Sequence, residues 1–498
     1  MKNTFLTQPK FWLTLILGVF SVLFMITAIG NHYYFRTYAL DYATYNFAFY
    51  DYSHLRISHC PLYEIWGDHR GTFFQDHFSL TIFYFVPFYW MLNWLTGSYT
   101  LLILQTLLIL ISGFVVFKFV STKTANDWLG LFALLLYFLL QGRYSAFTGD
   151  VNIGVISPCF IPFFLHFVEK KKFIKATIVF ILAIFSRENM SLWFIFISIV
   201  QLFWYKNDQR VFRYCLAYLA CSFVFFLLLF LVFIPMVEIP EKKYTLFTFS
   251  ALGNTPLQAL SFILTNPIKT IKLLFVNHLS DHAYDGVKLE FYLIYLVSGG
   301  FLLLVRPVYV LWLIPAIAFK MFNDSPIRWS VEWYYSLDIV TLVSISAALI
   351  IAEIKKTAQF KTGLCLFIVF LTMGVTIEKS NSRNREMAWW GTVKECVWKP
   401  AFFNSPYNIK KFNQALKLIP EKSSLSASET LLPHLSQRDS IYYFPNIGEA
   451  KYLAFLTDKK DNYLASEEEY KNTISKYLND PLWEPVVNDY PLIILKKK

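Results

Sequence analysis

The chain has 498 residues, is 56% hydrophobic and 19% aromatic, and carries a net charge of +11 although only 16% of its residues are charged. That much apolar surface excludes an ordinary soluble globular protein and points to a polytopic membrane protein. The positive excess belongs on cytoplasmic loops facing anionic headgroups and gives no support to a nucleic-acid partner.

Met1 to Lys10 is short and basic, and no small-residue cleavage site follows the apolar stretch Phe11 to Gly30. That stretch is expected to stay as an anchor in the bilayer. Further spans are predicted near 99–120, 128–141, 155–168, 173–187, 189–205, 214–237, 291–305, 307–322, 337–353 and 362–378. Several are short for a hydrocarbon core of about 30 Å.

Segment 79–95 is apolar too, and charge decides its place. Lys2 and Lys10 put the N-terminus in the cytoplasm. The clusters Glu169-Lys170-Lys171-Lys172 with Lys175, Lys206/Arg210/Arg213 and Lys355/Lys356/Lys361 belong on the same side. A single crossing by 79–95 would put all of them outside. The segment therefore reads as interfacial or re-entrant, in keeping with Pro87 and its run of aromatic residues. About eleven spans result, with the C-terminus outside.

This topology gathers the polar residues on the outer face. The loop after the first span is the densest stretch, holding Asp41, Asp51, Glu64, Asp68 and Asp76 with His54, His59, His69 and His77. A solvated loop on the bilayer surface and a catalytic loop over a membrane pocket both fit it. Asp41, in LDYATYN, has Tyr45 one helical turn away, and a carboxylate there is placed to act as a general base. Asp76 and His77 close the loop and are substrate-binding candidates.

In GDVN, Asp150 and Asn152 suit a divalent cation, a phosphate or sugar hydroxyl, or simply a turn and a helix cap. Arg187-Glu188 lies between two apolar helices, where charge is costly and functional by default, and Arg187 suits a lipid phosphate. NHLSDHAYDG carries His282 as a second metal candidate. Trp333, Tyr334 and Tyr335 precede a span and fit either an aromatic belt or a platform for sugar or isoprenoid. Cys60 and Cys396 lie outside the spans and admit a disulfide. P-loop, GxGxxG and GxSxG motifs do not occur.

Residues 379–498 have an ordinary soluble composition. SSLSAS, SIYYF, KYLAFLT and YPLIIL read as strands, and NIKKFNQALKLI and SEEEYKNTISKYLN as helices, so a small α/β domain serving as a structural cap is expected.

LDYATYNFAFY, QDHFSLTIFYFVPFYWML, GDVNIGVISPCFIPFFLHFV, FSRENMSLW, KLEFYLIYLVSGGFLLLVRPVYVLWLIPAIAFKMF followed by WYYS, and SASETLLPHLSQRDSIYYFP together resemble the GT-C superfamily. More narrowly, they resemble a bacterial family of membrane proteins known as a domain of unknown function. The resemblance is patchy over nearly the full length. It implies an α-helical polytopic fold, a GT-C-like transmembrane domain over 1–378 with a long first outer loop 31–98, and an extracytoplasmic α/β domain over 379–498. It further implies a glycosyltransferase of the bacterial inner membrane that uses a polyprenyl-phosphate-linked sugar. In that picture Asp41 takes the catalytic place, Asp150 the second acidic motif that holds metal or substrate, and Glu188 the acidic position between two helices. Arg187 and Arg143 would bind the leaving phosphate. Asn152 departs from a D-x-D motif, which puts the divalent metal in doubt. A transporter or flippase of an envelope precursor and a non-catalytic scaffold are the alternatives. Intramembrane charge on both halves of the bilayer and an internal repeat would favour transport, and neither is seen.

Overall fold

The computed structural model describes residues 8–62, 71–147, 150–237, 247–382, 392–458 and 466–498. Lys2, Glu64, Asp68 and His69 lie outside the described residues. Each of the eleven expected spans falls on a helical segment. Four stretches are long and apolar enough to cross a membrane by length and composition: Pro9–Tyr33, Thr81–Thr124, Gln209–Val237 and Ala358–Asn381. The other expected spans are shorter or broken. Pro158 and Pro307 open 3-10 turns at Ser157–Cys159 and Pro307–Leu313, where a proline cannot donate to the helical ladder.

Helix α1 (Pro9–Tyr33) opens on a proline, whose missing N–H costs nothing in a first turn. It buries Phe20, Phe24 and Ala28, one turn apart, and exposes Leu15, Val19 and Val22 on its other side. Phe20 and Phe24 meet Phe138 with ring centroids 5.0 and 5.5 Å apart. After α1 come α2 (Thr44–Ser53), α3 (Thr81–Thr96), α4 (Thr100–Thr124) and α5 (Asp127–Leu139). Later in the chain, α6 (Leu337–Glu353) is buried on nearly every face and is the centre of the bundle. The next helix, α7 (Ala358–Asn381), exposes Leu366, Phe367 and Phe370 and is peripheral.

Helix α3 is tied down at both ends. Leu80 at its N-cap donates to the Phe185 carbonyl (2.9 Å), and Asn93 near its end donates to Gln437 (3.0 Å). Trp90, Met91, Trp94 and Leu95 remain exposed. The start of α4 is beside the end of α1: the His32 ring is 2.8 Å from the Ser98 hydroxyl, and Tyr42 donates to the Ser98 carbonyl.

The C-terminal region forms one five-stranded sheet in the order β2-β1-β3-β5-β4, with β1 Leu425–Ala427, β2 Ile441–Tyr443, β3 Tyr452–Leu456, β4 Trp483–Asp489 and β5 Leu492–Lys497. β1 runs parallel to β2 and β3, and β5 antiparallel to β3 and β4. The expected helices appear as Ile409–Leu416 and Glu467–Asn479. β4 was not expected. It contains Pro485, bulges between Pro485 and Val487, and is largely exposed, as a proline-bearing edge strand must be. The sheet region packs on the first loop. His434 stacks on His32 at 3.9 Å, Asn46 donates to the Pro433 carbonyl (3.2 Å), and Arg56 pairs with Asp439 (2.7 Å).

Cys60 and Cys396 are not joined. Both are buried thiols, and Cys396 Sγ donates to the Ser380 carbonyl (2.8 Å) at the end of α7. The disulfide that the sequence admits is not formed.

Candidate active site

Asp41 sits in a π-helical turn, Ala39–Ala43, that leads into α2. The wide turn lets the Ala43 N–H reach back to the Tyr38 carbonyl (3.3 Å), and such bulges often mark functional positions. The Asn152 amide donates to Asp41 Oδ1 across 3.4 Å. Burial and the neighbouring Asp150 carboxylate push the Asp41 carboxyl up to about 7, against the opposite pull of His77, Lys394 and the Asn152 amide.

Asp150 has φ +58°, a left-handed conformation that Asp tolerates. The turn is clamped by Gln105 in α4, which donates to the Asp150 carbonyl (2.6 Å) and accepts from the Asn152 N–H (3.1 Å). The Asp150 carboxylate takes the Lys394 ammonium on one oxygen (2.9 Å) and the Tyr38 N–H on the other (3.0 Å). Both side chains of that ion pair are only 2% exposed. The Lys394 ammonium also lies 4.5 Å over the Tyr38 ring. Asn152 caps a short helix by accepting from the Gly154 N–H (2.7 Å), and Tyr45 accepts from the Ile153 N–H (3.3 Å).

On the neighbouring wall, Arg187 and Glu188 do not pair with each other. Arg187 is 3.4 Å from Asp338 in the first turn of α6. Glu188 accepts from the Phe78 N–H (3.1 Å) and lies 3.5 Å from His77, which is 3.3 Å from Asp76. Gly154 keeps the walls close: a Cβ there would sit 3.1 Å from Asn152 and from Tyr334, and 3.7 Å from Arg187.

The structure thus brings together Asp41, Asp76, His77, Asp150, Asn152, Arg187, Glu188 and Tyr334. Four expected residues lie elsewhere or contribute differently. Arg143 is enclosed in the protein, its guanidinium 4.1 Å over the Tyr137 ring, because the short helix Gln141–Ala146 turns it inward; it does not face the cluster as a phosphate ligand. His282 is a solvent-exposed partner of Asp285 (3.2 Å), so it does not join Asp150 in a metal site. Trp333 contributes its carbonyl, which accepts from Ser145 (2.7 Å). Tyr335 stands behind Tyr334, with the two hydroxyls 3.5 Å apart and its own ring under Arg328 (5.2 Å).

The donor set does not fit the divalent cation that the superfamily resemblance implies. Both Asp150 oxygens are engaged by an ammonium and an N–H, and Asn152 spends its carbonyl on a helix cap. The positive charge beside Asp150 is supplied by Lys394. Sequence reasoning missed Lys394, Asp338 and Gln105. For Asp338 a signal existed, since an acid in an apolar helix is costly and deserves the same reading as Arg187. Lys394 had none, being separated from Asp150 by 244 positions.

A family model described as a predicted membrane protein (DUF2079) matches residues 31–487. No curated protein matches the chain. Among solved structures, the chain is similar to the apo oligosaccharyltransferase of Archaeoglobus fulgidus, at 10% identity and TM-score 0.43, covering 94% of this chain and 73% of that one. It is similar to the same enzyme tethered to an acceptor peptide with the NVT sequon, at 13% identity and TM-score 0.42, covering 94% and 68%. It is also similar to ArnT from Cupriavidus metallidurans bound to undecaprenyl phosphate, at 11% identity and TM-score 0.44, covering 97% of each chain.

Proposed function

The chain belongs to the DUF2079 family of predicted membrane proteins, and from that premise we propose that it is a membrane glycosyltransferase. It moves a sugar from a polyprenyl-phosphate carrier to an envelope acceptor on the outer face of a bacterial inner membrane. One observation carries the reading: a carboxylate raised to about 7 by burial and a second carboxylate, with a fixed lysine and an arginine on the adjoining walls.

In this mechanism Asp41 takes the proton from an acceptor hydroxyl or amine as that atom attacks the anomeric carbon. The bond from that carbon to the phosphate oxygen breaks with inversion, and the polyprenyl phosphate leaves with the electron pair. Arg187 stands where it can meet the developing negative charge once it turns from Asp338. Glu188 fixes the His77–Phe78 segment through the Phe78 N–H. Lys394 holds Asp150 in place, and Asn152 orients Asp41. The chemistry runs on the protein's own charges.

That α3, the start of α4 and the sheet region share the side of Asp41 is supported by the bonds at both ends of α3 and by the start of α4 beside the end of α1; the basic loops make that side the outer one. Both fit an interfacial α3 with the N-terminus in and the sheet out. A reporter fused after Lys498 that works only in the cytoplasm should be silent.

The function is tested with purified protein in detergent and a panel of synthetic polyprenyl-phosphate sugars, reading release of polyprenyl phosphate and glycosylation of envelope extract. Transfer by the wild type and none by Asp41→Asn is expected. Detergent abolishes the two compartments, so a flippase or scaffold shows no transfer in either protein, and that result defeats the enzyme reading.

A further inference from the structure

At the other end of α1 from Asp41, a half-open cavity of about 460 Å³ lies among α1, α4, α5 and the helix Phe160–Glu169. Its lining includes Lys10, Lys118, Ser121, Asp127, His166 and Lys170. The volume is that of a small-molecule site.

The charges there are unbalanced. Two nearby cations are matched: Lys123 pairs with Glu169 (2.8 Å) and Lys171 with Asp208 (2.7 Å). Among the described residues, Lys10, Lys118 and Lys170 have no carboxylate within ion-pair distance, and Asp127 is the one acid in the lining. All three lysines line the cavity and are exposed. The lysines supply the charge that an anionic group in the cavity would meet. Phe11 and Trp128, next in sequence to Lys10 and Asp127, are exposed as residues at the headgroup level are.

We infer that this cavity binds the phosphate of an anionic phospholipid headgroup, in the leaflet opposite the Asp41 site. A soluble phosphate offers the same chemistry, so the test separates the two sources. The full-length protein is reconstituted in phosphatidylcholine nanodiscs, and its thermal midpoint is followed as phosphatidylglycerol replaces part of the lipid. A ligand that binds only the folded state raises the midpoint. A dose-dependent rise of a few degrees is expected. The variant Lys10→Gln/Lys118→Gln/Lys170→Gln should keep its midpoint in pure phosphatidylcholine and lose the rise. If the triple variant is unstable, the three single variants each lose part of the rise and keep the test decisive.

An equal rise in wild type and triple variant, or no difference between the two lipids, overturns the site. A rise with inorganic phosphate in phosphatidylcholine discs, with none from phosphatidylglycerol, overturns the lipid source.

Discussion

Two ion pairs of similar length divide this molecule's titratable groups. Asp150 and Lys394 meet at 2.9 Å with both side chains 2% exposed, whereas His282 and Asp285 meet at 3.2 Å with side chains 89% and 58% exposed. In sequence the second group looks the richer, because NHLSDHAYDG packs its acids and histidines within ten residues. In the fold it is a surface turn. The first group is drawn from segments near 41, 76, 105, 150, 187, 338 and 394, far apart in the sequence. Exposed pairs are worth about 0–1 kcal/mol, while breaking a buried one costs about 3–5 kcal/mol. What distinguishes a site is therefore convergence under burial, and density along the chain is a poor guide to it.

The strongest way to sharpen this contrast is Asp41→Asn. The substitution keeps the shape and removes the base. Transfer is expected to fall by about 10² to 10⁴ with the protein still folded. Wild-type rates from purified, folded mutant would remove Asp41 from the chemistry.

Lys394→Met comes next. It leaves Asp150 buried without its cation, and chemical denaturation should show a loss of about 3–5 kcal/mol. Adding Asp150→Leu should recover much of that loss, since an apolar pair needs no compensation. If the single variant is as stable as the wild type, the buried pair is not what holds this turn.

The same region has a pH signature. The base form of Asp41 is required, and its carboxyl is raised to about 7. Transfer should therefore drop about tenfold per pH unit as pH falls below 7. The effect on stability runs the other way. Between the ordinary 3.8 and about 7 the folded state keeps a proton that the unfolded state releases, so this group's contribution declines as pH rises through that window. Asp41→Asn should flatten both trends, and a rate profile without an acid limb down to pH 5 would contradict the assignment.

Much of the fold was legible because membrane spans announce themselves as apolar runs. The sheet was legible where strands alternate or cluster β-branched and aromatic residues, as in KYLAFLT. Trp483–Asp489 escaped because its proline and acids belong to an exposed edge. For the site, Asp41, Asp150 and Glu188 were legible from position relative to the spans. Arg143 was not: it lies seven residues from Asp150 in the same loop, yet the chain turns it onto Tyr137. Lys394 was not either, because nothing local in GTVKECVW tells which distant carboxylate its ammonium will meet.

Arg187→Lys tests a smaller effect on the site's wall. Lysine keeps the charge and loses the planar fork. If Arg187 meets the donor phosphate, the donor KM should rise by about tenfold with the thermal midpoint little changed. If its role is only to pair with Asp338, the midpoint falls and KM stays normal.

The smallest expected effect is the one that most directly tests the contrast. His282→Ala removes the residue that sequence made a metal candidate. Its ring is exposed and its partner Asp285 also accepts from Asn277 (2.8 Å), so the turn keeps another tie when the ring goes. Surface substitutions of this kind fall within about 0.5 kcal/mol, and transfer should stay within about twofold of wild type. Asn277→Ala is the companion, since Asn277 donates to both Asp285 and the Asp281 carbonyl (2.8 Å) and so holds the turn itself. It should loosen the turn, measured by faster proteolysis there, and still leave transfer intact. A large loss of transfer in His282→Ala with a normal thermal midpoint would mean that the exposed turn touches substrate. Burial would then have been the wrong criterion for separating the two regions, and the acceptor would have to reach from Asp41 to the 277–285 turn.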